Sequence, residues 1–243
     1  MISFVEQESG RQKLLRLCKK TAYGCKIAAL AHAYGFEKGF VCFWLDVKNE
    51  TVFCQTDGDM IISGTVLDRE ETESFLHAVG PRGILCAVKN AETLALPVTQ
   101  SGDILKKKLG PGKAAKFDPT AVNIRDLYNL LEETGMVEEF EPFYLDLSHK
   151  LRHGTAMTFT QRKGKELVGC VVVSAITDDA AILSAVAVKQ SLRRQGIGTA
   201  LIRQAEEALP GKTLYVFREK GKNREFYRQL EYTRVDTWVY SKK

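Results

Sequence analysis

The sequence lacks the features that mark secreted, membrane-spanning and metal-binding proteins. None of its six cysteines is spaced as C-x-x-C. Most lie in apolar runs such as GFVCFWLDV and GILCAV, so buried free thiols are expected rather than zinc ligands or disulfides. No window approaches about 18 uninterrupted apolar residues, and no basic leader precedes an apolar run at the start. We therefore expect a cytoplasmic protein with no membrane partner and no bound metal.

The net positive charge is modest and is spread along the sequence. The formal net charge is +5, and no basic stretch is longer than KKK at residues 106–108. Charge spread in this way is typical of a solvated surface, so we expect no nucleic-acid partner. The 243 residues, 44% hydrophobic and 27% charged, fit a soluble globular protein of one large domain or two.

One stretch divides the sequence into two halves. Residues 99–122, TQSGDILKKKLGPGKAAKFDPTAV, are rich in glycine, proline and lysine and lack apolar periodicity. This predicts a linker, with one domain at residues 1–117 and another at residues 118–243.

The apolar spacing of the second half predicts a mixed α and β order. NIRDLYNLLEETG carries one apolar stripe, which predicts a helix, and FEPFYLDLSHKLRHG predicts a weaker one. Three strands are then expected at AMTFTQRK, ELVGCVVVSAIT and AILSAVAV. The order ends with a helix at RRQGIGTALIRQAEEAL, a strand at TLYVF, a short helix at NREFYRQL and a strand at TRVDTWVYS.

The first half repeats this order more faintly. Helical patterns at KLLRLCKK and KIAALAHAY precede strands at GFVCFWLDV, TVFCQT and DMIISGTV, a helix at DREETESFLHAVG, a strand at GILCAV and a helical piece at NAETLAL. Where the second half has RRQGIG, the first has LDREET. Glu70, Glu71 and Glu73 would repel an anion there, so the first half is expected to lack an anion site.

Gly196 and Gly198 lie where the RRQGIGTALI helix should begin. A helix start exposes unpaired N–H groups and partial positive charge, so it receives an anion if side chains do not block it. No Lys-Ser or Lys-Thr pair follows Gly198, which excludes a P-loop. A dinucleotide fingerprint would need a small residue where Leu201 stands and a further βα repeat, but only one short strand and one short helix follow. A third pattern, R-x-x-G-x-G, fits Arg193, Gly196 and Gly198.

With that pattern the sequence resembles the GCN5-related N-acetyltransferase (GNAT) superfamily, from about residue 120 to 243. NREFYRQLEY is similar to the family's N-x-x-F-Y-x-x-x-G-F segment, with Asn223, Phe226 and Tyr227 in place. Glu231 stands where glycine is usual, which leaves the geometry of that turn in question, and Tyr232 stands where phenylalanine is usual.

The resemblance implies a fold and a cofactor. It implies an α+β fold with a twisted, mostly antiparallel sheet, a V-shaped splay between two strands and flanking helices, present as a tandem of two domains. Acetyl-CoA, as cosubstrate, would pair with the backbone near the splayed strand and with the glycine turn. The implied cofactor-binding residues are Val186, Val188, Arg193, Arg194, Gln195, Gly196, Ile197, Gly198, Thr199 and Asn223.

By family position, Tyr227 is the candidate acid that protonates the departing thiolate. The general base is open. Many relatives carry a glutamate on the fourth strand, but AILSAVAV offers only Ser184, so a water chain, another carboxylate or an already neutral amine must serve. Asp146, His149 and His153 lie in the region that lines acceptor pockets in the family, yet surface roles explain them as well.

Plainer explanations exist for the same residues. The two glycines also suit a tight turn without a ligand, Phe226 and Tyr227 suit a core, and Arg193 and Arg194 suit a surface.

We expect an acetyl-CoA-dependent N-acetyltransferase acting on a primary amine of a small molecule or protein, as a monomer or homodimer. The alternative is a catalytically inactive acyl-CoA-binding regulatory module, which the missing strand carboxylate favours. A purely structural scaffold is a third possibility, and the intact glycine turn argues against it.

Overall fold

The computed structural model describes residues 1–114 and 122–242, so the predicted boundary at 117/118 lies outside the described residues. The first half contains six strands and four helices within residues 1–114. In chain order these are β1 (Ile2–Phe4), α1 (Glu8–Cys18), α2 (Ala22–Tyr34), β2 (Val41–Asp46), β3 (Thr51–Thr56), β4 (Asp59–Ser63), α3 (Arg69–Val79), β5 (Gly83–Ala87), α4 (Val88–Thr93) and β6 (Gln100–Lys108).

The second half follows the predicted order of helices and strands. Its elements are α5 (Ile124–Glu133), α6 (Phe140–Arg152), β7 (Met157–Lys163), β8 (Glu166–Ile176), β9 (Ala180–Val188), α7 (Ile197–Ala208), β10 (Thr213–Glu219), α8 (Arg224–Gln229) and β11 (Thr233–Lys242). None of the described helices is long and apolar enough to cross a membrane.

The α5 helix shows how the sequence specifies these elements. Asn123 precedes it, and the Asn123 side-chain oxygen accepts a 3.1 Å hydrogen bond from the Asp126 N–H, which satisfies one of the helix's orphan donors. Leu127 and Leu131 lie on the buried face and pack with Cys170 of β8 in one core cluster. The predicted apolar stripe therefore anchors α5 to the sheet.

The described residues form two compact units. Among the described residues, unit 1 comprises 1–105 and 217–242, and unit 2 comprises 106–114 and 122–216. Both β6 and β10 contribute residues to each unit. Residues 100–108, part of the stretch predicted to be a linker, form β6.

In unit 1 the strands run in the order β1-β2-β3-β4-β5-β11-β6. The β4–β5 pair is parallel, and the pairs from β1 to β4 are antiparallel. β11 pairs antiparallel with β5, with Trp238 opposite Ala87 and Lys242 opposite Gly83. The last strand of the second half therefore completes the sheet that the first half begins.

In unit 2 the strands run in the order β7-β8-β9-β10. The β7–β8 and β8–β9 pairs are antiparallel, and β9–β10 is parallel. None of the six cysteines, all of which lie in the described residues, forms a disulfide; five are buried and Cys42 is half-buried.

Candidate functional site

β9 keeps one neighbour along its whole length and loses the other partway. The parallel ladder with β10 runs from Ala180 opposite Thr213 to Leu183 opposite Val216, where it ends. The ladder with β8 continues to Val188, which lies opposite Gly169. The far part of β9, which includes Val186, is therefore paired through β8. The end of this ladder is where the family resemblance places the splay between two strands.

A bulge lies where β9 loses its second neighbour. The β8–β9 register shifts between the Val172–Ala185 and Val173–Leu183 pairs, so Ser184 is an extra residue on β9. Its side chain is exposed, and its Oγ donates a 3.2 Å hydrogen bond to the Val172 carbonyl oxygen. The single hydroxyl on this part of β9 is thus engaged with the backbone.

The turn from β9 to α7 uses two left-handed residues. Arg194 has a φ of +64° and Gly196 a φ of +79°. A Cβ atom on Gly196 would meet no atom within 4 Å, so its glycine is required by the backbone conformation. We expected glycine here to make room for a ligand. The structure adds a second reason for glycine at this position, its positive φ, and the space beside Gly196 is open as expected.

The start of α7 offers unpaired donors without opposing negative charge. Gly196 caps the helix without a side-chain hydrogen bond, and no acidic residue lies in the first turn. The first helical bond runs from the Ala200 N–H to the Gly196 carbonyl oxygen at 2.9 Å. The N–H groups of Ile197, Gly198 and Thr199 precede that bond and have no partner inside the helix. The geometry therefore suits an anion.

The three polar residues before Gly196 are exposed: Arg193, Arg194 and Gln195. Arg193 has a defined contact, because its Nε donates a 3.1 Å hydrogen bond to the Val188 carbonyl oxygen. This hydrogen bond links the end of β9 to the glycine turn. The predicted cofactor-binding residues from Val186 to Thr199 therefore lie close together in unit 2.

Sequence reasoning missed Gly169. A Cβ atom at this position on β8 would lie 2.8 Å from Cγ2 of Ile197, the first residue of α7. Glycine therefore lets the start of α7 pack closely against β8. A lone glycine inside a strand pattern was the available signal.

Asn223 and Tyr227 lie in unit 1. Asn223 caps α8 from the left-handed region, with a φ of +52°, and its carbonyl oxygen accepts the Tyr227 N–H at 3.2 Å. The Tyr227 ring is buried, edge-on to Phe226 at 5.2 Å and to Tyr232 at 5.7 Å between ring centroids. Burial raises the pKa of the Tyr227 phenol to about 12, against a smaller lowering by the Arg218 guanidinium. The phenol is therefore held protonated.

Glu231 answers the question raised by the missing glycine. Its φ is +66°, in the left-handed region where glycine is favoured. The turn is nevertheless formed, because the Glu231 N–H donates to the Arg228 carbonyl oxygen at 3.0 Å and the Tyr232 N–H to the Tyr227 carbonyl oxygen at 3.0 Å. A glutamate at this position therefore raises the conformational free energy of the backbone relative to glycine, but the turn still forms.

The start of α3 is the equivalent helix start in the first half, and side chains of the protein itself occupy it. At the beginning of α3 the Asp68 side chain accepts a 3.0 Å hydrogen bond from the Glu71 N–H. The Glu71 carboxylate in turn accepts the Ile2 N–H at 2.6 Å and lies 3.4 Å from the Met1 ammonium. Carboxylates of the chain itself thus occupy the helix start, in keeping with the absence of an anion site expected from LDREET.

Asn90 closes the equivalent strand. The β4–β5 ladder ends at Ile61 opposite Leu85, as the β9–β10 ladder ends at Leu183. Gly64 and Val66 lie beyond the end of the β4–β5 ladder, as Val186 and Val188 lie beyond the end of the β9–β10 ladder. The buried Asn90 amide donates to the Gly64 carbonyl oxygen at 2.9 Å and accepts from the Val66 N–H at 3.0 Å.

Comparison with known proteins identifies the family of the second half. Residues 124–232 match the model of the acetyltransferase (GNAT) family. No curated protein matches the sequence.

Solved structures resemble the chain over much or all of its length. A GCN5-related N-acetyltransferase from Sphaerobacter thermophilus is 13% identical with a TM-score of 0.59, covering 100% of this chain and 95% of that one. A tandem GNAT protein from the clavulanic acid biosynthesis pathway is 11% identical with a TM-score of 0.60, covering 99% and 97%. A GCN5-related N-acetyltransferase from Kribbella flavida is 16% identical with a TM-score of 0.55, covering 79% and 86%.

Residues 124–232 therefore form a GNAT-family domain, and the chain has the mixed α and β fold of tandem GNAT proteins. The expected fold class is confirmed, and the expected family is confirmed for residues 124–232. The roles of the individual site residues stay predictions.

Proposed function

We propose that the protein is an acetyl-CoA-dependent N-acetyltransferase that acts on a primary amine of a small molecule or protein. The observation that carries the proposal is the start of α7. It presents uncapped N–H groups after the left-handed Arg194 and Gly196, with no acidic side chain in its first turn. The family match over residues 124–232 supports an acetyltransferase reaction class.

The residues of unit 2 fit the phosphate and amide groups of a CoA thioester. The open space at Gly196 and the N–H groups from Ile197 to Thr199 would hold the pyrophosphate. The part of β9 around Val186 and Val188 would pair with the amides of the pantetheine arm. Acetyl-CoA supplies the activated acyl group as a thioester.

The chain must then stabilise charge and manage protons. Backbone N–H groups near Val186 to Val188 are the proposed donors to the carbonyl oxygen. Tyr227 is the proposed donor to the leaving sulfur. With a pKa of about 12, the Tyr227 phenol is protonated at neutral pH. It is therefore proposed to donate a hydrogen bond, and then its proton, to the departing thiolate. Since Ser184 donates to Val172, the amine is proposed to arrive neutral or to lose its proton to water.

Two measurements test the proposal. Isothermal titration of the intact protein with acetyl-CoA and with CoA should give saturable binding. Release of free CoA, followed with a thiol reagent across a panel of primary amines, should exceed the hydrolysis seen without amine. A folded protein that binds neither ligand would overturn the cofactor assignment.

A second candidate function is a catalytically inactive acyl-CoA-binding regulatory module. The observation that favours it is Ser184, the bulged β9 residue that takes the place of a carboxylate and is already bonded to the backbone. Saturable acetyl-CoA binding without amine-dependent CoA release would support this alternative over the enzyme.

A further inference from the structure

A buried arginine connects two parts of unit 1 that are distant in sequence. Arg218, on β10, is 7% exposed, and its Nη2 atom contacts the Asp103 carboxylate on β6. Its Nη1 atom donates a 2.9 Å hydrogen bond to the Lys222 carbonyl oxygen. Within the described residues its Nε atom has no acceptor, so these two contacts carry the pairing of the buried cation.

The backbone brings Asp103 to this place. A Cβ atom on its neighbour Gly102 would lie 2.0 Å from the Arg218 carbonyl oxygen and 2.6 Å from the Trp238 Nε1 atom. That carbonyl accepts a 3.1 Å hydrogen bond from Trp238 Nε1. Only glycine permits so close an approach, so β6 is fitted to β10 at the point where Asp103 meets Arg218.

The other end of the contact holds the entrance to α8. Lys222 directly precedes Asn223, the left-handed residue whose carbonyl oxygen accepts the Tyr227 N–H at 3.2 Å. Fixing the Lys222 carbonyl therefore restrains the first turn of α8, on which Tyr227 lies. The opposing effect of the Arg218 charge on the Tyr227 pKa places that cation within electrostatic reach of the phenol.

We propose that Asp103 and Arg218 are positioning residues for Tyr227. Asp103 orients the guanidinium of Arg218, which holds Lys222 and so sets the orientation of α8 and of the phenol. This inference rests on the proposed function, in which Tyr227 donates to the leaving thiolate. It gives the first half of the sequence a part in the reaction, although its own helix start is closed.

The Arg218→Lys variant tests the inference. Lysine keeps the positive charge beside Asp103 but lacks the planar fork that reaches two acceptors at once. Hydrogen–deuterium exchange of the full-length protein should accelerate at the α8 amides, residues 224–229. Turnover with an accepted amine should fall about tenfold, because small misplacements of a reacting group are costly.

A double-mutant cycle separates positioning from a structural role. If Arg218 acts through Tyr227, Arg218→Lys should cause no further loss of kcat in a Tyr227→Phe background. Asp103→Asn should behave in the same way, and Arg218→Lys covers the case in which Asp103→Asn does not fold. The matched control is Arg234→Gln, since Arg234 pairs with Asp103 at 2.7 Å from the exposed side. It should leave α8 exchange unchanged.

Two results would overturn the inference: unchanged exchange at α8 in folded Arg218→Lys, or losses of kcat that multiply with Tyr227→Phe. Failure of the proposed function looks different, because the wild-type protein would then release no CoA with any amine. The exchange measurement would in that case still decide whether Asp103 and Arg218 hold α8.

Discussion

The Asn90 side chain donates a 2.9 Å hydrogen bond to the Gly64 carbonyl oxygen, two residues before the Val66 N–H that donates back to it. A side-chain amide thus pairs, in the first half, with backbone groups beyond the end of the parallel β4–β5 ladder. In the second half, the backbone beyond the end of the parallel β9–β10 ladder is the region proposed to receive the pantetheine amides. In the first half, the Asn90 side chain supplies these hydrogen bonds to the backbone. In the second half, under our proposal, the cofactor supplies them.

One CoA per chain is the first expectation, because Asn90 and the carboxylates of α3 close the first half. Isothermal titration should give a stoichiometry of one. Asn90→Ala leaves the buried Val66 N–H without its acceptor, at about 1–3 kcal/mol, and also removes the hydrogen bond to the partly buried Gly64 carbonyl oxygen. Urea unfolding should therefore show a marked loss of stability. Thr93→Ala, on the exposed side of the same helix, should change stability by less than about 0.5 kcal/mol. A stoichiometry of two in the wild-type protein would contradict this prediction.

The second expectation concerns Gly198, which lies in the first turn of α7 and, unlike Gly196, does not have a positive φ. An aspartate there suits the helix dipole, by about 0.3–1 kcal/mol, but opposes a bound anion. Gly198→Asp should therefore fold normally and bind CoA at least about tenfold more weakly than Gly198→Asn, which has the same shape without the charge. Equal affinities of the two variants in a titration would exclude a phosphate site at this helix start.

Tyr227→Phe separates catalysis from binding. The change removes one oxygen from a buried ring and keeps the contacts with Phe226 and Tyr232. The CoA affinity should barely move, whereas kcat and kcat/KM should fall together by about tenfold or more, since general acids typically contribute 10²- to 10⁴-fold. Tyr240→Phe, in which the lost hydroxyl donates to Asp59, is the matched control and should keep its turnover. Full turnover by Tyr227→Phe would reduce the residue to a packing role.

The fourth expectation is alkaline instability. Burial raises the pKa of the Cys170 and Cys86 thiols to about 12. Because the folded pKa lies above the unfolded one, the folded chain binds more protons between about pH 9 and pH 12. The free energy of unfolding then falls by about 1.4 kcal/mol per pH unit for each thiol. Below about pH 8 both thiols are protonated in either state, and they contribute no slope.

Urea unfolding of wild type and Cys170→Ala from pH 7 to 11 tests this. Above about pH 9 the slope of stability against pH should be shallower in Cys170→Ala by about 1.4 kcal/mol per pH unit. Below about pH 8 the two proteins should differ by a constant amount that reflects the cavity. Parallel slopes across the whole range would show that the buried thiol does not titrate as proposed.

Local signals predicted most of the elements. The stripe of α5, the apolar runs of β8 and β9, and the acidic start of α3 each follow from residues close in sequence. The glycine turn was also found, because its spacing is contained within a few residues. The splay came from family resemblance, and the structure shows its two ladders of unequal length.

Contacts between distant residues escaped prediction. QSGDILKKK, the sequence of β6, contains a glycine and three lysines and has no clean alternation, so its strand state depends on its neighbours in the sheet. Asp103 and Arg218 lie 115 residues apart, and nothing local to either residue indicates the other. The amide of Asn90 likewise gains its role only from a fold that brings α4 beside the end of β4.

The pairing of β11 with β5 has a consequence for how the protein is made. β5 (residues 83–87) pairs with β11, which is synthesised about 150 residues later. Unit 1 therefore cannot be completed while the ribosome is still translating the second half. Until then the edge of β5 is open to other strands, and its closure depends on a contact of long sequence separation, which is slow to form. Deletion of β11 should therefore destabilise unit 1, because β5 would lose one of its two neighbouring strands.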